Sequence, residues 1–201
     1  MVGNKFIKIA VVAFSTLLLA GALFGCSSNS DSGSAATDTE SSADTQAQSE
    51  PQELTPDSEL FQIMGELSPE MTLEEANEVI GSEGEVSTES DSSTVYVWDM
   101  GDECSIEGTF FTSGSARFDA EYPRKLVKDR ANFGDWDNIK AQAEAGTLTY
   151  DQLVEMLGGV PGLMDSVRSG GYTYQWYNDD GGYLFAQTDE DGEVSIVSGM
   201  F

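Results

Sequence analysis

Residues 148–159, LTYDQLVEMLGG, echo residues 71–82, MTLEEANEVIGS. Each segment has an apolar residue, a Thr, acidic or amide residues, and an apolar pair ahead of Gly. The correspondence runs on to the end of the chain. Residues 71–86 fall on 148–163 at an offset of 77, and after one extra residue the offset is 78. Tyr96 and Trp98 then meet Tyr174 and Trp176, Ile106 meets Leu184, Gly114 meets Gly192 and Phe118 meets Ile196. Self-similarity at a fixed long period marks a duplicated supersecondary unit. It predicts one small architecture used twice.

Each unit opens with a helix pair. Thr55-Pro56 precedes Leu60, Phe61, Met64 and Leu67 at helical spacing, and Asp135 precedes Trp136, Ile139 and Ala143. The second helix of each pair has an explicit start, because Thr72 with Glu75 and Thr149 with Gln152 are spaced as capping boxes. Gly81 and Gly158 supply the left-handed residue that ends such a helix. The runs TVYVWD, SIEGTFF, SARFDA, YTYQWY, GYLFAQT and EVSIVS are β-branched and aromatic, and NDDGG and DEDG are turn clusters. The expected fold class is α+β, with two tandem repeats of a helix pair and an antiparallel sheet of three or four strands. The helices are expected to cover one sheet face. DEDGE lacks the twelve-residue spacing of a calcium loop and reads as turn chemistry. No metal or cofactor is expected.

The N-terminal residues stand apart from this pattern. Lys5 and Lys8 precede an apolar run that stops at Leu-Phe-Gly-Cys, residues 23–26. The run reads as a secretory signal and is short for a span of ~20 residues. Its ending resembles the lipobox of bacterial lipoproteins, with Phe24 where a small or β-branched residue is usual. The resemblance implies that Cys26 receives a lipid and becomes the mature N-terminus, which anchors the chain on the extracellular face of the cell membrane. Residues 27–54 are Ser, Thr, Asp, Glu, Ala and Gln with almost no apolar content, and read as a disordered tether. The expected organisation is a signal at 1–26, a tether at 27–54, units at 55–121 and 133–201, and a linker at 122–132. Cys104 is then the one other cysteine, so no intramolecular disulfide is expected. Without Lys5 and Lys8, seven basic residues face 36 acidic ones, a net of −29. Such a charge argues against nucleic acid as a partner.

A helix written M-T-x-x-E/Q-x-x-x-x-[IL]-G, a Y-x-W strand and a Gly-tipped hairpin, all in tandem, resemble the BLIP-like family, the beta-lactamase inhibitor protein fold. IGSEGEVSTES is especially close to the segment after that helix in many lipoproteins of Gram-positive bacteria. The resemblance covers residues 55–201. It implies two units whose sheets form one face, and it makes a beta-lactamase one candidate partner. No enzyme-contacting residue of the inhibitor has a local motif to match, so none is carried over.

The chain has no His, no nucleophile elbow and no phosphate-cradling glycine turn, and Cys104 has no visible activator. Carboxylate pairs leave a small wall-active, glycosidase-like enzyme as an alternative. A non-catalytic module, monomeric and binding an extracellular protein, fits the residues better. Strand alternation turns Tyr96, Trp98, Tyr174 and Trp176 toward the helices and Val97, Gln175 and Tyr177 away from them. On the next strands it leaves Phe111, Tyr183 and Phe185 outward. Phe111, Tyr177, Tyr183 and Phe185 are therefore the candidate partner contacts, since exposed aromatics anchor interfaces. A one-residue slip reverses every assignment. Arg124, Lys125, Lys128 and Arg130 concentrate basic charge in the linker, either for an anionic polymer or to neutralise nearby carboxylates. A structural role in envelope assembly is a third reading.

Overall fold

The computed structural model describes residues 53–200. Cys26, the signal segment and the tether up to residue 52 lie outside the described residues. The chain forms α1 (Glu59–Glu66), α2 (Leu73–Ile80), β1 (Glu85–Glu89), β2 (Ser93–Gly101), β3 (Cys104–Phe111) and β4 (Ala116–Glu121). A 3₁₀ turn (Arg124–Leu126) leads to α3 (Trp136–Glu144), α4 (Tyr150–Met156), β5 (Leu163–Arg168), β6 (Gly171–Tyr177), β7 (Tyr183–Thr188) and β8 (Val194–Met200). The eight strands make one antiparallel sheet in chain order. The fold is α+β, with four helices and one eight-stranded sheet.

The helices are only seven to nine residues long, so capping and packing must hold them. Both capping boxes form. Thr72 Oγ1 accepts from the Glu75 amide while the Glu75 carboxylate accepts from the Thr72 amide at 2.9 Å. Thr149 and Gln152 repeat that exchange. Gly81 and Gly158 take φ of +84° and +87°, a conformation open to glycine at little cost. The first helices differ from expectation. Thr55 to Ser58 closes a turn, with the Ser58 amide donating to Thr55 O at 2.9 Å, so α1 starts at Glu59. Asp135 does not cap α3 through its side chain; its carboxylate accepts from the Asn138 amide group instead.

Most of the core lies between the helices and one sheet face; Leu163 and Tyr177, on the other face, join the first cluster with Leu126 and Val127 of the linker. Leu60, Phe61, Met64, Ala76 and Ile80 pack with Trp98, Ile106 and Phe118. Ile139, Leu153 and Leu157 pack with Trp176, Leu184 and Ala186. Two indoles organise these clusters. Trp98 Nε1 donates to Asn77 Oδ1 at 2.9 Å and to Ser82 O at 3.2 Å. Trp176 Nε1 donates to Val160 O at 2.9 Å. Each ring lies against a glycine, for a Cβ on Gly84 or Gly162 would stand 2.6 or 2.5 Å from it.

Leu54, placed by composition at the end of the tether, belongs to the fold. It is 5% exposed, forms a parallel bridge with Val127 and accepts from the Lys128 amide. A single apolar residue after a polar run suffices here, because the linker offers it a strand-like partner. The β4–β5 ladder is short, with only Phe118 opposite Val167 and Asp119 opposite Ser166. Helix α1 packs behind this seam, against β4 and β5.

Candidate functional site

Alternation along the strands gives the sheet a second face that the helices leave open. In the second half of the sheet, Tyr177 stands opposite Tyr183 and Gln175 opposite Phe185 in the β6–β7 ladder. Tyr183 and Phe185 meet edge to face at 5.2 Å, and their neighbours on β8 are Met200 and Ser198. Met200 is 62% exposed. Paired side chains in an antiparallel ladder share a face, so these residues form a continuous strip.

The four aromatic candidates fare differently. Tyr183 and Phe185 are half-buried within the strip. Phe111 is 39% exposed at the end of β3, four strands from β7 and thus ~19 Å away across the sheet. Tyr177, expected to be an outward contact, is only 8% exposed. The Arg124 guanidinium covers its ring at 5.0 Å and donates to the carbonyl oxygens of Asn178, Gly181 and Gly182. The side chain is on the expected face; the linker folds back over it.

The same contacts describe the basic linker. Lys125 pairs with Glu103 at 2.6 Å and Lys128 with Glu53 at 3.1 Å. Arg130 donates to the Asp129 carbonyl oxygen at 3.1 Å, so all four basic side chains contact the protein's own acceptors. Both ion pairs are exposed, where such pairs contribute little to stability.

At the β4–β5 seam the open face deepens into a cleft of 430 Å³. Glu107, Arg117, Asp119, Glu121, Asp165 and Gln175 line it, with the rings of Tyr122 and Tyr177. Arg117 is hydrogen-bonded to Asp119 through Nε and Nη2. Tyr122 donates to Gln175 Oε1 at 3.1 Å, and burial, then the Asp165 charge, pushes its hydroxyl far above the ordinary range. Burial also pushes the Asp165 carboxyl up, to about 6 from 3.8, with Asp119 and Glu121 adding and Arg117 opposing. Carboxyls shifted by burial and like charge in a cleft mark candidate functional positions.

The shift bears on stability. The folded protein holds the Asp165 proton more tightly than the unfolded chain, so ionisation destabilises the fold. The penalty is absent below about pH 4, grows as pH rises toward 6 and is complete above it. Asp165→Asn is expected to stabilise the protein by on the order of 2 kcal/mol at pH 7.5 and to change little at pH 4. Urea unfolding at the two pH values checks this; an equal effect at both would contradict it.

The cleft was not among the sequence candidates, although a signal existed. ARFDAE alternates Ala116, Phe118 and Ala120 with Arg117, Asp119 and Glu121, a core row against a charged row. Asp165 gave no such signal. Its strand, LMDSVR, bulges between Met164 and Ser166 and loses its alternation.

Cys104 is buried, and burial first, then Asp102 and Glu103, pushes its thiol up. Such a thiol stays protonated and unreactive. No group of three or more acidic, Cys or His side chains among the described residues is placed to hold a metal ion. No helix among them is long and apolar enough to cross a membrane.

Comparison with family models, curated proteins and solved structures found no match to this chain.

Proposed function

We propose that the protein is a non-catalytic binding module, held at the outer face of the cell membrane by lipid on Cys26, whose open sheet face recognises another extracellular protein. One observation carries this reading. All four helices pack on one side of the sheet, and the other side presents an aromatic strip beside a charged cleft. A rigid sheet that shows Tyr and Phe loses little entropy on binding.

We further propose that the fold is a tandem duplication of the BLIP-like kind. Its support is the order of two helices and four strands, followed twice, with a capping box on the second helix and a Trp over a Gly each time. The Gly84–Gly162 correspondence moves the extra residue of the second unit forward. It falls at Gly159, which follows Gly158 with a φ of +80°, rather than after Val86. A beta-lactamase is one candidate partner on resemblance alone.

The test is recovery of the partner from the source envelope with the full chain, followed by affinities of single variants. Phe111→Ala, Tyr183→Ala and Phe185→Ala are expected to weaken binding by about 1–3 kcal/mol wherever the ring is an anchor. Tyr177→Ala is expected to act mainly by releasing Arg124. Four folded variants that bind like wild type would place the interface elsewhere. Turnover of a wall fragment or peptide by the purified chain would replace the binding reading with an enzymatic one.

A further inference from the structure

The seam cleft has a chemistry distinct from the aromatic strip beside it. Four carboxylates line it against one guanidinium, and that guanidinium is engaged by Asp119 at 2.6 Å. Glu107, Glu121 and Asp165 form no ion pair among the described residues. The acids are spread along the walls rather than gathered to a point, and no three of them are placed to share a metal ion. The cleft has the size of sites that enclose an organic group. Tyr122 and Tyr177 also line it, and the Tyr177 ring already holds one cation, the Arg124 guanidinium, at 5.0 Å.

A second observation does not depend on charge. Ser166 stands opposite Asp119 in one ladder and opposite Thr173 in the next. Its side chain therefore lies on the cleft's face of the sheet, directly beside a lining carboxylate. It is 3% exposed, and its Oγ has no hydrogen-bond partner. A buried hydroxyl without a partner and a half-buried carboxylate with a raised pKa sit at adjacent positions of one bulge. Asp165 lines the cleft and is a group that an incoming donor would satisfy; Ser166 does not itself line it and leaves an unpaired hydroxyl beside it on the same face.

We propose that this cleft receives an arginine or lysine side chain projected by the partner protein, with apolar neighbours of that side chain resting on Tyr183, Phe185 and Met200. The inference rests on the binding reading above and adds the chemistry of the partner. The strip favours a polypeptide over a small amine, because the apolar surface begins where the acids end, at the Tyr177–Tyr183 pair. Charge favours it as well: a chain of net −29 after signal removal draws basic surfaces toward it, and a low-dielectric cleft focuses that field.

The experiment titrates the isotope-labelled full chain, in a zwitterionic detergent, with a blocked peptide holding one arginine between two leucines. The same peptide with citrulline, which keeps the shape and removes the charge, is the control, and spermidine is a third ligand. The expected result is saturable shifts in the amide signals of Asp119, Asp165 and Gln175, with the citrulline peptide at least tenfold weaker. The double variant Asp119→Asn, Asp165→Asn is expected to lose at least tenfold in affinity while its unfolding curve shows an intact fold. Equal binding of the citrulline peptide, shifts confined to other residues, or spermidine binding as tightly as the peptide would each overturn the assignment. If the envelope partner binds the double variant normally yet is weakened by Phe185→Ala, the cleft assignment fails and the open-face reading stands. If neither variant affects that partner, the open-face reading fails.

Discussion

Trp176→Ala is expected to cost about 3–5 kcal/mol of folding stability. The indole is among the largest fully enclosed side chains of the protein and shares its cluster with Leu153, Leu157 and Leu184. Its removal empties that volume and deprives Val160 O of its donor. The neighbouring glycine makes the site hard to repair, because Gly162 has no side chain to swing into the cavity. Trp176→Phe keeps most of the ring and loses the N–H, so a smaller loss of about 1–3 kcal/mol is expected. Trp98→Ala is expected to match Trp176→Ala, since its indole bridges Asn77 and Ser82 over Gly84 in the same way. Urea unfolding measures all three. Losses below about 1 kcal/mol for both alanine variants would show that the indoles do not hold the helices to the sheet.

Cys26→Ala is expected to abolish lipid attachment altogether. The reading rests on the apolar run stopping at Leu23 to Cys26. Each buried CH₂ of an acyl chain contributes ~0.8 kcal/mol to membrane binding, so two or more chains hold a soluble domain stably. Mass spectrometry of the mature protein is expected to find Cys26 at its N-terminus with a diacylglycerol on the thiol, and to find neither in the variant. A wild-type N-terminus elsewhere, without lipid, would contradict the anchor and with it the proposed location.

Local chemistry was the most legible part of the fold. The capping boxes at Thr72 and Thr149 span only four residues each, and the turn clusters at 178–182 and 189–192 lie between the strands they were expected to join. Strands with one buried face were legible because burial imposes alternation. β1 and β5 had no such imprint. EVSTE is exposed along its whole length, and LMDSVR is broken by a bulge. The face of Tyr177 followed from its strand, but its burial did not, because Arg124 reaches it from a linker more than fifty residues away. The cleft was half legible for the same reason. Arg117, Asp119 and Glu121 show their common face in the sequence, whereas Asp165 joins them only through a two-residue ladder between distant strands. The basic linker reads as a candidate surface in the sequence, yet its side chains meet Glu53, Glu103 and three backbone carbonyls of the fold itself.

The open sheet face, and not the helix face, is where the partner is expected to bind. Photo-crosslinking in the source cell tests this even while the partner is unidentified. A photoreactive phenylalanine would replace Tyr183 or Phe185 on the open face, and Glu78 or Lys140 on the exposed sides of α2 and α3. One discrete crosslinked extracellular protein is expected from the first pair of positions and none from the second. The same adduct from Glu78 or Lys140, with none from Tyr183 or Phe185, would contradict the open-face assignment.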